Sequence, residues 1–262
     1  MKGLIKMNTL TLMECTKRKL DATYLVVYAI KNTINIKKND TIEKTDIYSL
    51  IGIDIKGFRQ FLNIYIDKTS NSRFWLDCFE TLKSRGIQHI LFLSVDNNKN
   101  LKRTAKIAFP DVVFVDSLTD ITPKFFMYSS ERSSMKIASI IHSLYTQKTL
   151  GAYKETLKTF NETYNNAIHQ KLVEKYLANI EGLYKYSVNI RILLFRYSAN
   201  IEFYDKIRLS FNSNSYFVTD INEIYDILGN MNKYFGFTSF KKSEMSLILN
   251  DLIQIYPKFD FI

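Results

Sequence analysis

The 262-residue chain can bury a full core as one large domain, or one domain with an insertion. With 46% hydrophobic and 24% charged residues it is neither a disulfide-stapled scaffold nor an extended disordered segment. A net charge of +10 favours a polyanionic partner, nucleic acid before an acidic membrane surface.

The first predicted element is a strand, Thr23 to Ile30, β-branched and aromatic throughout. Two more strands follow, Thr45 to Asp54 and Gly57 to Ile66, separated by a turn at Ile55-Lys56, so the opening reads as a meander. Between Ser72 and Gly86 the residues Phe74, Trp75, Cys78, Phe79 and Leu82 recur at helical spacing, and Gly86 supplies a stop. That spacing assigns Trp75 to the core rather than to a ligand. His89 to Val95 then reads as a buried strand, Leu101 to Phe109 as a short helix, and Asp111 to Leu118 as another strand.

From about Ser133 the pattern turns helical. Tyr153, Leu157, Phe160, Tyr164, Ile168, Leu172 and Tyr176 repeat every three or four residues as one long apolar stripe, which reads as helix packing. Further helices are predicted over 201–211, 221–235 and 244–256. The expectation is an α/β protein with a mixed sheet, parallel strands being joined by helical crossovers. Its predicted organisation is an N-terminal remnant (1–20), the first part of the core (21–120), a helical insertion (121–195) and C-terminal helices completing the core (196–262).

Little in this chain announces small-molecule chemistry. No phosphate-binding glycine loop, Cys-x-x-Cys pair or nucleophile elbow is present. His89, His142 and His169 show no ligand or triad spacing. Cys15 and Cys78 have neither disulfide nor metal spacing, the N-terminus lacks a signal-peptide stretch, and no run approaches the roughly 18 apolar residues of a membrane span. A cytoplasmic protein without membrane contact is expected.

LDATYL (20–25), IGIDIKGFRQFLNIYI (51–66), the segment from Phe74 to Asp96 and YSANIEFYDKIR (197–208), in that order, resemble the mutator-type transposases of bacterial insertion sequences. Leu20 to Leu25 (LDATYL) resembles the family's first strand motif, whose Asp is a catalytic carboxylate. IGIDIKGFRQFLNIYI resembles the next two strands, with their Gly, acidic turn and Glu-x-Leu-Gly segment. Phe74 to Asp96 is the best match, with a Trp, a Leu-Lys-x-Arg-Gly turn and a strand ending in Asp; YSANIEFYDKIR resembles the helix start that carries the third carboxylate. The resemblance implies an RNase H-like fold, with Asp21, Asp96 and Glu202 as catalytic metal ligands. It further implies two Mg²⁺ or Mn²⁺ ions, a duplex DNA substrate comprising transposon ends and target, a homo-oligomer on DNA, and a nucleoid-associated location.

The chemistry is coherent with such a set. Phosphodiester cleavage and strand transfer use two cations about 4 Å apart, held by carboxylate oxygens. On one helical side after Asp96, the residues Lys99, Lys102, Arg103 and Lys106 offer phosphate contacts that position DNA without reading its sequence. Each residue also has a structural reading. Asp21 follows Lys17-Arg18-Lys19 and suits a solvated loop, Asp96 suits a strand-to-turn residue bonding its own backbone, Glu202 suits a helical ion pair with Lys206, and the four cations suit a solvated face.

The chain departs from the family pattern at several points. Ser117 and Asp120 stand where a Cys-x-x-His element belongs, Asn97 replaces the Gly after the second Asp, and Asn200-Ile201-Glu202 shortens the last motif. Only twenty residues precede Asp21, against a family DNA-binding region on the order of a hundred residues, so autonomous recognition of transposon ends is not expected. The alternative to an active strand transferase is therefore a non-catalytic DNA-binding or transposase-interacting remnant of the same fold.

Overall fold

The computed structural model describes residues 16–38, 41–67, 71–95, 98–116, 121, 124–198, 238 and 240–259. The helices predicted over 201–211 and 221–235 lie outside those residues, as do Asp96 and Glu202.

The chain forms two compact units, one containing the sheet and ending its first stretch at Val115, the other comprising Asp116–Ile201 and Ser243–Lys258. In the first unit β1 (Thr23–Lys38), β2 (Thr41–Asp54) and β3 (Arg59–Asp67) make the predicted meander. They are followed by α1 (Ser72–Ser84), β4 (His89–Val95), α2 (Lys99–Ala108) and β5 (Val113–Val115). The order across the sheet is β3-β2-β1-β4-β5. Neighbours in the meander run antiparallel, whereas β1–β4 and β4–β5 are parallel. The fold is thus mixed α/β, since the parallel pairs are joined through α1 and α2 as helical crossovers require.

Why the sequence folds this way is visible in its burial. Tyr24, Leu25, Val26, Val27 and Tyr28 are all buried, so β1 is covered on both faces. One face packs against α1 and α2: Trp75, Phe79 and Leu82 of α1 and Leu101 and Ala105 of α2 join Tyr48, Leu50 and Leu93 in one cluster. Asn71 caps α1 and Asn98 caps α2, each side chain accepting a backbone N–H three residues on.

Two glycines fix the sheet. At Gly52, a Cβ would press into the Tyr24 ring, about 2.7 Å from Cε1, and lie 3.1 Å from Leu62 Cδ1. Gly52→Ala is therefore expected to destabilise the protein by about 1–3 kcal/mol, read as a lower urea midpoint at unchanged slope. Gly57, at φ 82°, makes the β2–β3 turn possible.

The second unit is helical: α3 (Glu131–Thr146), α4 (Leu150–Thr163), α5 (Ala167–Leu172), a π-helical turn (Val173–Leu177), a 3₁₀ segment (Ala178–Lys185), α6 (Val188–Ser198) and α7 (Lys242–Ile255). The Tyr153–Tyr176 stripe is helical but interrupted: α4 ends at Thr163 with Tyr164 as its cap, and Asn166, accepting from the His169 backbone N–H, caps the start of α5. Beyond the break the buried residues are His169, Val173 and Leu177, one position on from the predicted Ile168, Leu172 and Tyr176.

Candidate functional site

Of the three carboxylates that the resemblance singled out, Asp21 lies within the described residues. It is exposed and sits just before β1, where the chain runs beside the α1–β4 connection. Leu20 N–H donates to Arg85 O (2.7 Å), and the N–H groups of Gln88 and His89 both donate to Ala22 O (2.8 and 2.9 Å). Asp21 is thereby held at the amino end of β4.

β4 ends at Val95, the residue before Asp96 in the sequence. The parallel register pairs Thr23 with His89 and Ala29 with Val95. Six strand steps between those pairs amount to about 20 Å, and consecutive Cα atoms lie only about 3.8 Å apart. Asp21 and Val95 consequently lie at opposite ends of the β1–β4 pair. The β1 residues beside the end of β4 are Tyr28 and Ala29, opposite Ser94 and Val95, and neither is a carboxylate. Asp46, further along β2, is engaged by Lys31 Nζ at 2.7 Å and Thr33 Oγ1 at 2.8 Å. Among the described residues no group of three or more His, Cys, Asp or Glu side chains could hold a metal ion. A pair of cations about 4 Å apart requires its ligands to converge, and Asp21 lies about 20 Å along the strands from Val95.

What does converge on Asp21 is a polar cluster that sequence reasoning missed. Gln60 Nε2 donates to Asp21 Oδ2 (2.9 Å) and to Asp54 Oδ2 (2.7 Å), while its Oε1 accepts from Arg18 (2.7 Å) and from the Tyr24 hydroxyl (2.9 Å). Asp54 is buried, and its other oxygen accepts the backbone N–H groups of Lys56 and Phe58, both at 2.8 Å. The available signal was the Asp-Ile-Lys-Gly turn, which places Asp54 where an Asx-type bond closes a hairpin. Gln60 occupies the first position of the family's Glu-x-Leu-Gly segment; an amide there can donate to both carboxylates, as a Glu could not.

Burial raises the Asp54 pKa above its ordinary value of 3.8, against the lowering effect of the hydrogen bonds from Phe58, Gln60 and Lys56. Between the ordinary and the raised value the folded state holds more protons than the unfolded state, so stability falls as pH rises through that window. Acid titration of wild type beside Asp54→Asn should show this as a wild-type unfolding free energy that declines relative to the variant from pH 3.8 upward. A difference that is flat or grows with pH would remove the assignment.

The four cations predicted after Asp96 all lie on α2. Lys99, Arg103 and Lys106 are exposed and Lys102 is half-buried. Lys102 and Lys106 stand over the Phe114 ring, each 5.9 Å from its centroid, and Lys106 Nζ also donates to Pro110 O. Among the described residues none of the four is in an ion pair, so the helix presents unneutralised positive charge immediately after β4. Trp75, by contrast, is fully buried, as its spacing predicted. His169 is a core histidine, its Nε2 3.1 Å from Ser129 Oγ and its ring stacked on Phe125.

Fold and site together define a mixed α/β protein with a basic helix at the carboxyl end of its central parallel pair. Residues 6–203 match the family described as Transposase, Mutator family. The transposase for insertion sequence element ISRM3 of Rhizobium meliloti is 21% identical over 223 residues, covering 83% of this chain and 56% of that protein. A probable transposase for an ISRM3-like element of Sinorhizobium fredii gives the same identity and coverage, and the IS1201 transposase of Lactobacillus helveticus is 24% identical over 71% of this chain and 50% of its own length. The chain belongs to the Mutator family of transposases and spans about half the length of the curated relatives it matches.

Proposed function

We propose that this chain serves DNA transposition as the RNase H-like part of a mutator-type transposase, and that it holds duplex DNA without building a two-Mg²⁺ centre from Asp21, Asp96 and Glu202. The strand order β3-β2-β1-β4-β5, with β1 parallel to β4, supports the RNase H-like reading. Support for DNA as the partner comes from the unpaired cations of α2, the net charge of +10 and the substrates that the family implies. The reading that this trio does not carry strand transfer is supported by the β1–β4 register, which separates Asp21 from Val95. Assembly as a homo-oligomer on DNA in the cytoplasm belongs to the same reading. No helix among the described residues is long and apolar enough to cross a membrane.

The test is a nicking and strand-transfer assay on terminal-repeat duplex with Mg²⁺ or Mn²⁺, run beside a binding titration. Wild type should bind the duplex, lose affinity steeply as salt rises, and give no joined product. Strand transfer by wild type that both Asp21→Asn and Asp96→Asn abolish would overturn the proposal. On α2, Lys99→Gln combined with Arg103→Gln should make the plot of log affinity against log salt shallower by about 1–2 while leaving the melting temperature unchanged.

A further inference from the structure

In the helical unit, Lys124 and Lys175 converge on a single tyrosine. Their ammonium groups lie 4.9 and 5.2 Å from the Tyr176 ring centroid. Lys124 Nζ donates to the Tyr176 hydroxyl at 2.9 Å. Because that oxygen accepts from Lys124, its own O–H is left to donate elsewhere. Among the described residues neither lysine is in an ion pair; Asp116, in the same unit, accepts instead from Asn179 Nδ2 at 2.9 Å. Lys175 is exposed, and Lys124 and Tyr176 are half-buried, so the group is accessible.

Two like charges gathered on one ring repel each other, and cation–π attraction offsets only part of that cost. An anion placed between them would relieve it. The local backbone adds to the case. Tyr176 lies in the π-helical turn Val173–Leu177, a distortion that opens the ordinary helical ladder and recurs at functional positions. Burial pushes the phenol pKa up, yet the hydrogen bonds and charges of Lys124 and Lys175 outweigh it and leave the group below its ordinary value of 10.0. The phenol is therefore a stronger hydrogen-bond donor than a solvated tyrosine.

We propose that Lys124, Tyr176 and Lys175 form a phosphate-binding site that takes a phosphodiester group of duplex DNA, two ammonium groups and one phenol O–H meeting the anionic oxygens. This inference deepens the DNA-holding role proposed above and rests on it for the source of the phosphate. Nothing in the site reads a base, so the contact fixes position rather than sequence.

The experiment measures fluorescence anisotropy of a labelled duplex across a salt series for the full chain, for K124Q/K175Q, and for Tyr176→Phe. In parallel, NMR of ring-labelled tyrosine follows titration with inorganic phosphate. The double variant is expected to bind at least tenfold more weakly at low salt, with a log–log slope shallower by about 1–2. Tyr176→Phe should lose a smaller factor with little change of slope, since it removes a donor and no charge. Thermal unfolding of each variant checks that the unit still folds; should K124Q/K175Q fail to fold, Tyr176→Phe and the phosphate titration decide. Wild-type duplex binding that the folded double variant retains in full, slope included, overturns the site while leaving DNA binding intact. If wild type binds no duplex, the DNA-holding role falls, and the site survives only as a free-phosphate site whose Tyr176 resonance moves with inorganic phosphate. A Tyr176 resonance unmoved by phosphate in that case overturns the site as well.

Discussion

Arg191→Met is expected to lower the unfolding free energy by about 3–5 kcal/mol, with early loss of the far-ultraviolet helical signal in urea. Arg191 is buried in α6, and its guanidinium ties the end of α3 to the start of α6 through three carbonyls. Nε donates to Tyr145 O (3.0 Å), one terminal nitrogen to Tyr186 O (2.6 Å) and the other to Gln147 O (2.5 Å). The Tyr184 ring lies 4.0 Å from its Cζ. Removing the fork leaves three carbonyls to find new partners, and each unsatisfied buried acceptor costs about 1–3 kcal/mol. Arg191 has no carboxylate partner among the described residues, so its charge is met by carbonyl dipoles and a ring face. Burial lowers its pKa accordingly. Arg191→Lys keeps the charge but supplies a point donor in place of the planar fork, and should recover less than half of the loss. A cost below about 1 kcal/mol for the methionine variant would mean that solvent reaches those carbonyls and that the tie is unimportant.

Trp75→Ala should cost a similar amount, about 3–5 kcal/mol, in the sheet unit. The indole is fully buried, with Tyr48 edge-on at 4.7 Å, Phe74 at 5.2 Å and Phe79 at 6.3 Å. Its removal opens a cavity between α1 and the meander that large neighbours on both sides leave little freedom to close. Trp75→Phe separates packing from polarity, because Trp75 Nε1 is buried without a hydrogen-bond partner. The phenylalanine loses volume yet removes an unsatisfied N–H, so its cost should stay under about 1.5 kcal/mol. Trp75 is the chain's single tryptophan, so both variants are followed by circular dichroism. Equal losses from the two would show that the aromatic contacts contribute little.

The elements that sequence exposed most clearly are those whose burial has a simple period. β4 runs from His89 to Val95 as read, and the buried residues of α1 are Trp75, Cys78, Phe79 and Leu82. Strand length was harder to see. β1 and β2 extend well past Ile30 and before Thr45, through a charged stretch whose pairing is set by backbone bonds across the hairpin rather than by apolar alternation. The stripe ending at Tyr176 hid a break, because one capping side chain at Asn166 outweighed continuous periodicity. Local sequence is also silent about register. It marks Asp21 as starting a strand and Asp96 as ending one, but which strand ends adjoin depends on β1 and β4 pairing in parallel from Thr23 and His89. For the same reason Asp54 and Gln60, unremarkable in the chain, become Asp21's neighbours, since the antiparallel β2 returns its carboxyl end to the start of β1.

The parallel pairing of β1 with β4 stops at Ala29, whereas its antiparallel pairing with β2 continues to Lys38. Among the described residues no strand flanks β1 over that outer stretch, so every second amide there faces away from β2 with no ladder to join. Such a margin is a template on which another chain's strand could zip. Lys31 lies along it, its ammonium held by Asp46, and a charged side chain that must be brought close to an incoming strand discourages indiscriminate stacking. The ribbon can thus stay long and half-open without seeding aggregates, and neutralising Lys31 would weaken that safeguard while leaving the core untouched.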